Sequence, residues 1–186
     1  MKNNRQLDDV KDRRVADVQR FLLFALVLVL VIWGLFGLAL GIMVAPNNDM
    51  YPRIDAGDLI LYYRLDKDIT AHEVAAYESD GKELIGMIIA ASGDVVDIND
   101  EGEIFVNGNY TVERGIFYDT PKYEGGIEFP VTLGPDEYFI LADSRQGGMD
   151  SRYLGPIAKD EIKGTVITGI RRKNMLQGEK TRSLII

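Results

Sequence analysis

From Phe21 to Ala45 the chain carries no charged residue, and these 25 positions are almost entirely Leu, Val, Ile, Phe, Ala and Gly with one Trp. At about 1.5 Å per residue a helix of that length crosses a hydrocarbon core of about 30 Å with some tilt. A cleavable leader has an apolar core of only about 7 to 15 residues, so the run predicts a retained transmembrane helix over 21–45. The chain then divides into a tail (1–20), a span (21–45) and a working domain (46–186). Lys2, Arg5, Lys11, Arg13, Arg14 and Arg20 precede the span, whereas only Arg53 and Arg64 lie in the twenty residues after it. That bias places the N-terminus in the cytoplasm and the large domain outside a plasma membrane crossed once.

The part beyond the span has room for one compact domain. A formal charge of −8 gives no reason to expect a nucleic-acid partner. Cysteine is absent, which excludes disulfides, a thiol nucleophile and thiolate metal sites. His72 is the single histidine, and its Ala-His-Glu-Val setting reads as a strand-flanking surface residue. No metal or cofactor is expected.

After Asp58 the pattern is mostly β, with Gly, Asp, Asn and Pro at the breaks. Residues 59–64, 83–91, 95–98, 103–107, 137–141 and 164–170 read as strands, and Ile98 to Glu103 contains a hairpin turn. Leu-Ile-Leu-Tyr-Tyr and Met-Ile-Ile-Ala-Ala are apolar on both faces, which suits antiparallel sheets folded over one another. Residues 108–130, rich in Gly and Pro, read as an excursion from that core.

Between span and first strand lies Asp49-Met50-Tyr51-Pro52-Arg53-Ile54-Asp55-Ala56-Gly57-Asp58. It resembles the nucleophile box of the type I signal peptidases (family S26), Ser-Met-x-Pro-x-(Leu/Ile)-x-x-Gly-Asp, with Asp49 where that family has its nucleophilic Ser. A second stretch, Glu83 to Asp94, falls on the box Lys-Arg-(Val/Ile)-Ile-Gly-x-Pro-Gly-Asp. Anchored on Gly93-Asp94, the alignment puts Gly86 at the general-base Lys, Met87 at the following Arg and Ser92 at the Pro. Downstream, Tyr138 to Gly155 matches the block Gly-Asp-Asn-(Arg/Ser)-x-x-Ser-x-Asp-Ser-Arg-x-x-Gly. Asp143, Arg145, Asp150, Ser151, Arg152 and Gly155 are kept, and Gly148 stands at the Ser that orients the Lys.

The resemblance implies a signal-peptidase-like β-fold behind one membrane helix. It also implies a lost mechanism, because the family attacks a peptide bond with a Ser hydroxyl deprotonated by a buried Lys. An ionised Asp49 only accepts hydrogen bonds, and Gly86 supplies no base. Lys82 lies about 13 Å along the strand from Gly86. A carboxylate dyad of Asp49 with Asp143 or Asp150 is the alternative chemistry; an ion pair of Asp150 with Arg152 that holds a loop is the reading preferred here, with Asp143, Arg145 and Ser151 as further scaffold.

What such a protein keeps is a surface for an extended peptide, with Asp49, Met50, Pro52, Ile85, Gly86 and Met87 as its expected contacts. The paired changes at 49 and 86 are similar to those of degenerate family members encoded in Gram-positive pilus loci. That likeness implies a non-catalytic accessory factor or chaperone, with a pilin as partner and the pilin-polymerising sortase as a further one. The competing expectation is a divergent active signal peptidase using a nucleophile such as Ser92 or Ser144.

Overall fold

The computed structural model describes residues 2–66, 68–112, 115–116 and 118–172, with side chains from residue 13 onward. It separates into two units, Met1–Ala39 and Leu40–Ile186. The first is a helix, α1 (Lys2–Gly34), continued by a π-helical stretch, Leu35–Ala39. Within it Arg13–Ala39 is long and apolar enough to cross a membrane, and none of it is buried. Its apolar side chains point outward all round, Phe24, Leu30 and Trp33 among them, which suits a lipid surrounding rather than water.

The expectation of helix over 21–45 fails at its end. Leu40–Val44 forms a strand, β1, that belongs to the second unit. It pairs antiparallel with β2 (Leu59–Tyr63), from Leu40 opposite Tyr63 to Val44 opposite Leu59. Strand periodicity closes Gly41, Met43 and Ala45 inward and leaves Ile42 and Val44 exposed. At Gly41 the Tyr62 ring lies so close that an added Cβ would fall 2.2 Å from it, so any larger residue would have to displace that ring. Because both faces of β1 are apolar, nothing in the composition marks where helix gives way to strand.

The other strands are β3 (Val74–Ser79), β4 (Lys82–Ala90), β5 (Val95–Ile98), β6 (Ile104–Val106), β7 (Asn109–Tyr110), β8 (Val131–Thr132), β9 (Glu137–Leu141), β10 (Ile157–Ala158) and β11 (Ile162–Ile170); one short helix, α2, spans Ser151–Leu154. They form a seven-stranded sheet, β1-β2-β11-β3-β4-β9-β10, and a four-stranded one, β7-β6-β5-β8, with every pairing antiparallel. The expected hairpin joins β5 to β6, closed by Asn99 N–H donating to the Glu103 carbonyl at 3.1 Å.

The main core lies between the sheets. Ile60, Ala76, Ile85, Met87, Ile89, Phe139 and Leu141 from the large sheet meet Val96, Ile98 and Ile104 from the small one. Alternate residues of the same central strands, Tyr77, Leu84, Ile88 and Ile140, build a second core on the opposite face with Ile69 and Ile157. Burial on both faces explains the unbroken apolar runs of β4 and β9.

The excursion at 108–130 is corrected for its second half. Thr120 is buried and accepts from Arg145, Ile127 N–H donates to the Arg152 carbonyl at 3.0 Å, and Phe129 meets the Phe139 ring edge-on. Residues 120–130 return because two buried arginines need acceptors that the sheet does not supply.

Candidate functional site

The loop between β1 and β2 is closed at its base. Ala45 N–H donates to the Asp58 carbonyl at 2.8 Å and Gly57 N–H returns to the Ala45 carbonyl at 2.9 Å. Gly57 sits at φ +88°, a left-handed conformation that favours glycine. Asp58 is buried and its carboxylate accepts from Asp55 N–H and Arg172 N–H, both at 3.0 Å. The Gly57-Asp58 pair is therefore a latch for this loop rather than a reacting group. The Tyr51–Pro52 bond within it is cis.

Asp49 sits half-buried near the start of the loop. Its Oδ2 accepts from Asn47 Nδ2 at 2.8 Å and from Met149 N–H at 3.2 Å, while its backbone carbonyl accepts from Ser144 N–H at 2.7 Å. Asp49 is thereby tied to the loop after β9. Burial raises its carboxyl pKa above the ordinary 3.8 and the nearby Asp150 charge pushes the same way, against the two hydrogen bonds.

Gly148 lies beside Asp49, and Gly86 packs against the end of β9. A Cβ at Gly148 would stand 2.3 Å from Ala142 Cβ, 3.0 Å from the Ser144 carbonyl and 3.7 Å from Asp49 Cγ. A Cβ at Gly86 would stand 2.5 Å from Ile140 Cγ2 and 3.1 Å from the Leu141 carbonyl. The end of β9 therefore fills the space that side chains at 86 and 148 would enter. On the same face as Gly86, the fully buried Tyr77 hydroxyl has no hydrogen-bond partner among the described residues. Its burial, with the charges of Asp150, Asp49 and Glu161 nearby, pushes the phenol far above its usual range.

The loop from Asp143 to Leu154 is held by buried charge. Asp150 and Arg152 are fully buried and pair through two contacts, Arg152 Nε to Oδ1 at 2.9 Å and Nη2 to Oδ2 at 2.7 Å. Arg152 also donates to the carbonyls of Pro121 and Arg145 and to the Tyr123 hydroxyl, and its guanidinium lies 4.1 Å from the Tyr123 ring centre. Asp150 Oδ2 accepts from Ala142 N–H, Ser151 Oγ from Ile140 N–H, and Arg145 Nε donates to the Ala142 carbonyl. These bonds fix residues 140–142, and through them the space beside Asp49. Asp143, also buried, pairs with Arg53 Nε at 3.1 Å.

Of the expected peptide contacts, Pro52 is exposed and Asp49 half-exposed, whereas Met50 and Ile85 are closed into the main core. They are consumed by packing because Ile85 faces the small sheet and Met50 tucks under the loop. Met87 belongs to that core yet also lines a cavity of about 450 Å³ with Arg53, His72 and Val112. Ser92 lies exposed on a turn, and Ser144 is half-buried with its backbone N–H donating to the Asp49 carbonyl. Lys82 Nζ reaches Met149 Sδ at 3.8 Å.

Sequence reasoning missed Arg53, Tyr77, Met149 and Tyr123. Only Arg53 had a signal: with Met87 at a cationic position, Asp143 needed another partner. Among the described residues no group of three or more His, Asp or Glu side chains is placed to hold a metal ion.

A family model described as signal peptidase, peptidase S26, matches residues 15–170. The chain is 37% identical over 91 residues to signal peptidase I P of Bacillus subtilis subsp. natto, an alignment covering 45% of this chain and 46% of that protein. The chain thus spans about half the length of that relative. It is 24% identical over 135 residues to a protein named inactive signal peptidase IA from Staphylococcus aureus strain MRSA252, covering 66% of this chain and 74% of the relative. A signal peptidase I structure from Enterococcus faecalis V583 aligns with a TM-score of 0.43 at 22% identity, over 53% of this chain and 97% of that one.

Proposed function

This chain belongs to the signal peptidase family, peptidase S26, and on that premise we propose that it has given up peptide-bond hydrolysis and serves as a membrane-anchored peptide-binding accessory factor. Its partner on this reading is a pilin handled by a sortase, outside a plasma membrane crossed once with residues 1–20 in the cytoplasm.

The observation that carries the reading is the packing beside Asp49. Hydrolysis by the family's route needs a hydroxyl nucleophile, a lysine amine and room for both. The position of the hydroxyl holds a carboxylate that already accepts from Asn47 and Met149. Ile140 and Ala142 take up the approaches to positions 86 and 148. A carboxylate with a raised affinity for its proton is an acceptor suited to a donor on a bound chain, a lysine or a backbone amide. One relative is itself named inactive.

Pilin binding by the full chain in nanodiscs tests this. Asp49→Ala should leave the fold intact and weaken binding by about 1.5 to 3 kcal/mol, the scale of a hydrogen bond to a charged group. Absence of pilin binding, or equal binding by Asp49→Ala, removes the anchor. The competing reading, an active signal peptidase, draws on relatives named as such.

A further inference from the structure

The ion pair of Arg53 with Asp143 leaves a feature that the Asp49 centre does not use. Arg53 Nε is 3.1 Å from Asp143 Oδ2, with Asp143 buried and the Arg53 side chain a quarter exposed. Among the described residues the Nη groups of Arg53 have no hydrogen-bond partner. Nε thus faces Asp143 while the two Nη groups keep their donors, and Arg53 lines a cavity of about 450 Å³ together with, among the described residues, His72, Met87 and Val112. His72 is exposed and held at φ +74° by its N–H bond to the Ile88 carbonyl at 2.7 Å. Neutral or charged, its imidazole has an N–H to offer.

We propose that this cavity is a second binding site, one that takes the carboxylate of an acidic side chain on an extended peptide. The proposal rests on the reading that the chain binds a peptide. The outer fork of Arg53 matches a carboxylate in geometry. Met87 and Val112 offer apolar walls for the methylene stem of a glutamate. The volume lies within the usual range of ligand pockets, about 300 to 1,000 Å³. The Asp143 carboxylate beside Arg53 offsets part of its charge, which favours a monoanion such as a carboxylate over a dianion. Among the described residues the titratable groups lining the cavity, Arg53 and His72, are nonetheless basic, in a chain with 29 acidic and 21 basic residues.

The test uses the full chain in nanodiscs with 13C-methyl methionine, the Met87 signal being assigned by its loss in Met87→Leu. Acetyl-Ala-Glu-Ala-amide should shift that signal saturably, and the otherwise identical Gln peptide should bind at least tenfold more weakly. Arg53→Gln should abolish the difference. Since that change also removes a partner of Asp143, two further variants separate binding from folding. Arg53→Lys keeps the charge without the fork and should lose most of the discrimination, and His72→Ala, outside the ion pair, should weaken the Glu peptide while leaving the melting curve in place. Equal affinity for both peptides, an unmoved Met87 signal, or full discrimination in Arg53→Gln overturns the proposal. Those outcomes are distinct from failure of the peptide-binding reading, which is judged on pilin binding and its dependence on Asp49.

Discussion

Introducing a side chain at Gly148 probes the closure beside Asp49 in isolation. In Gly148→Ser the new Cβ would lie 2.3 Å from Ala142 Cβ and 3.0 Å from the Ser144 carbonyl. Carbon atoms in good contact sit at about 3.5 to 4.0 Å, so roughly 1.2 Å or more must be found. Ala142 has little freedom to give way: its N–H is bonded to Asp150 at 3.0 Å and its carbonyl to Arg145 at 2.7 Å, both partners buried. Overpacking of this kind costs about 1 to 3 kcal/mol, and the fixed neighbours place this case toward the upper end. Ala142→Gly removes the offending atom and alone costs about 0.5 to 1 kcal/mol through backbone freedom. The double variant should therefore recover most of the loss, with a coupling of at least about 1 kcal/mol between the two changes. The only tryptophan, Trp33, lies in α1, so fluorescence would report on the wrong unit. Pulse proteolysis across a urea series reads the β unit directly. Additive effects, or a Gly148→Ser variant as stable as the parent, would refute the packing argument.

Two further outcomes follow from the same region. Arg152→Met strands Asp150 in a fully buried setting and orphans the Pro121 and Arg145 carbonyls, so a loss of at least about 3 to 5 kcal/mol is expected in the urea midpoint, and a loss under about 1 kcal/mol contradicts it. For Asp49, burial raises the carboxyl above 3.8, so the folded state holds its proton more tightly than the unfolded chain and ionisation costs stability. That cost is absent below pH 3.8 and complete once the pH has passed the raised value. Asp49→Asn keeps an oxygen for Asn47 and Met149, and should be more stable than the parent at pH 7 with the gain fading toward pH 3; a gain that grows on acidification contradicts the sign.

Sequence was most informative where chemistry and periodicity coincide. Val95–Ile98 and Glu137–Leu141 are strands with the expected bounds, because turn residues flank short apolar runs there. β1 was hidden inside the uncharged run, since helix and two-faced strand draw on the same residues. β3 was missed because Val-Ala-Ala-Tyr is buried on both faces and alanine carries little strand preference. At the site, the positions of Asp49, Gly86 and Gly148 were legible from motif spacing. Their packing was not: that Ile140 and Ala142 occupy the adjoining space depends on how β9 lies against β4, which involves residues about fifty positions apart. The partnership of Arg53 with Asp143 is long-range in the same way.

Whether peptide bonds are cut is the most direct question. The full chain in nanodiscs, incubated with a signal-peptide-bearing preprotein and followed by mass spectrometry of new N-termini, should yield no more product than nanodiscs alone. With Gly86 offering no base and Asp49 no hydroxyl, that result should hold across neutral and alkaline pH. Product that rises in proportion to added protein, whether or not it survives Asp49→Ala, would contradict the account.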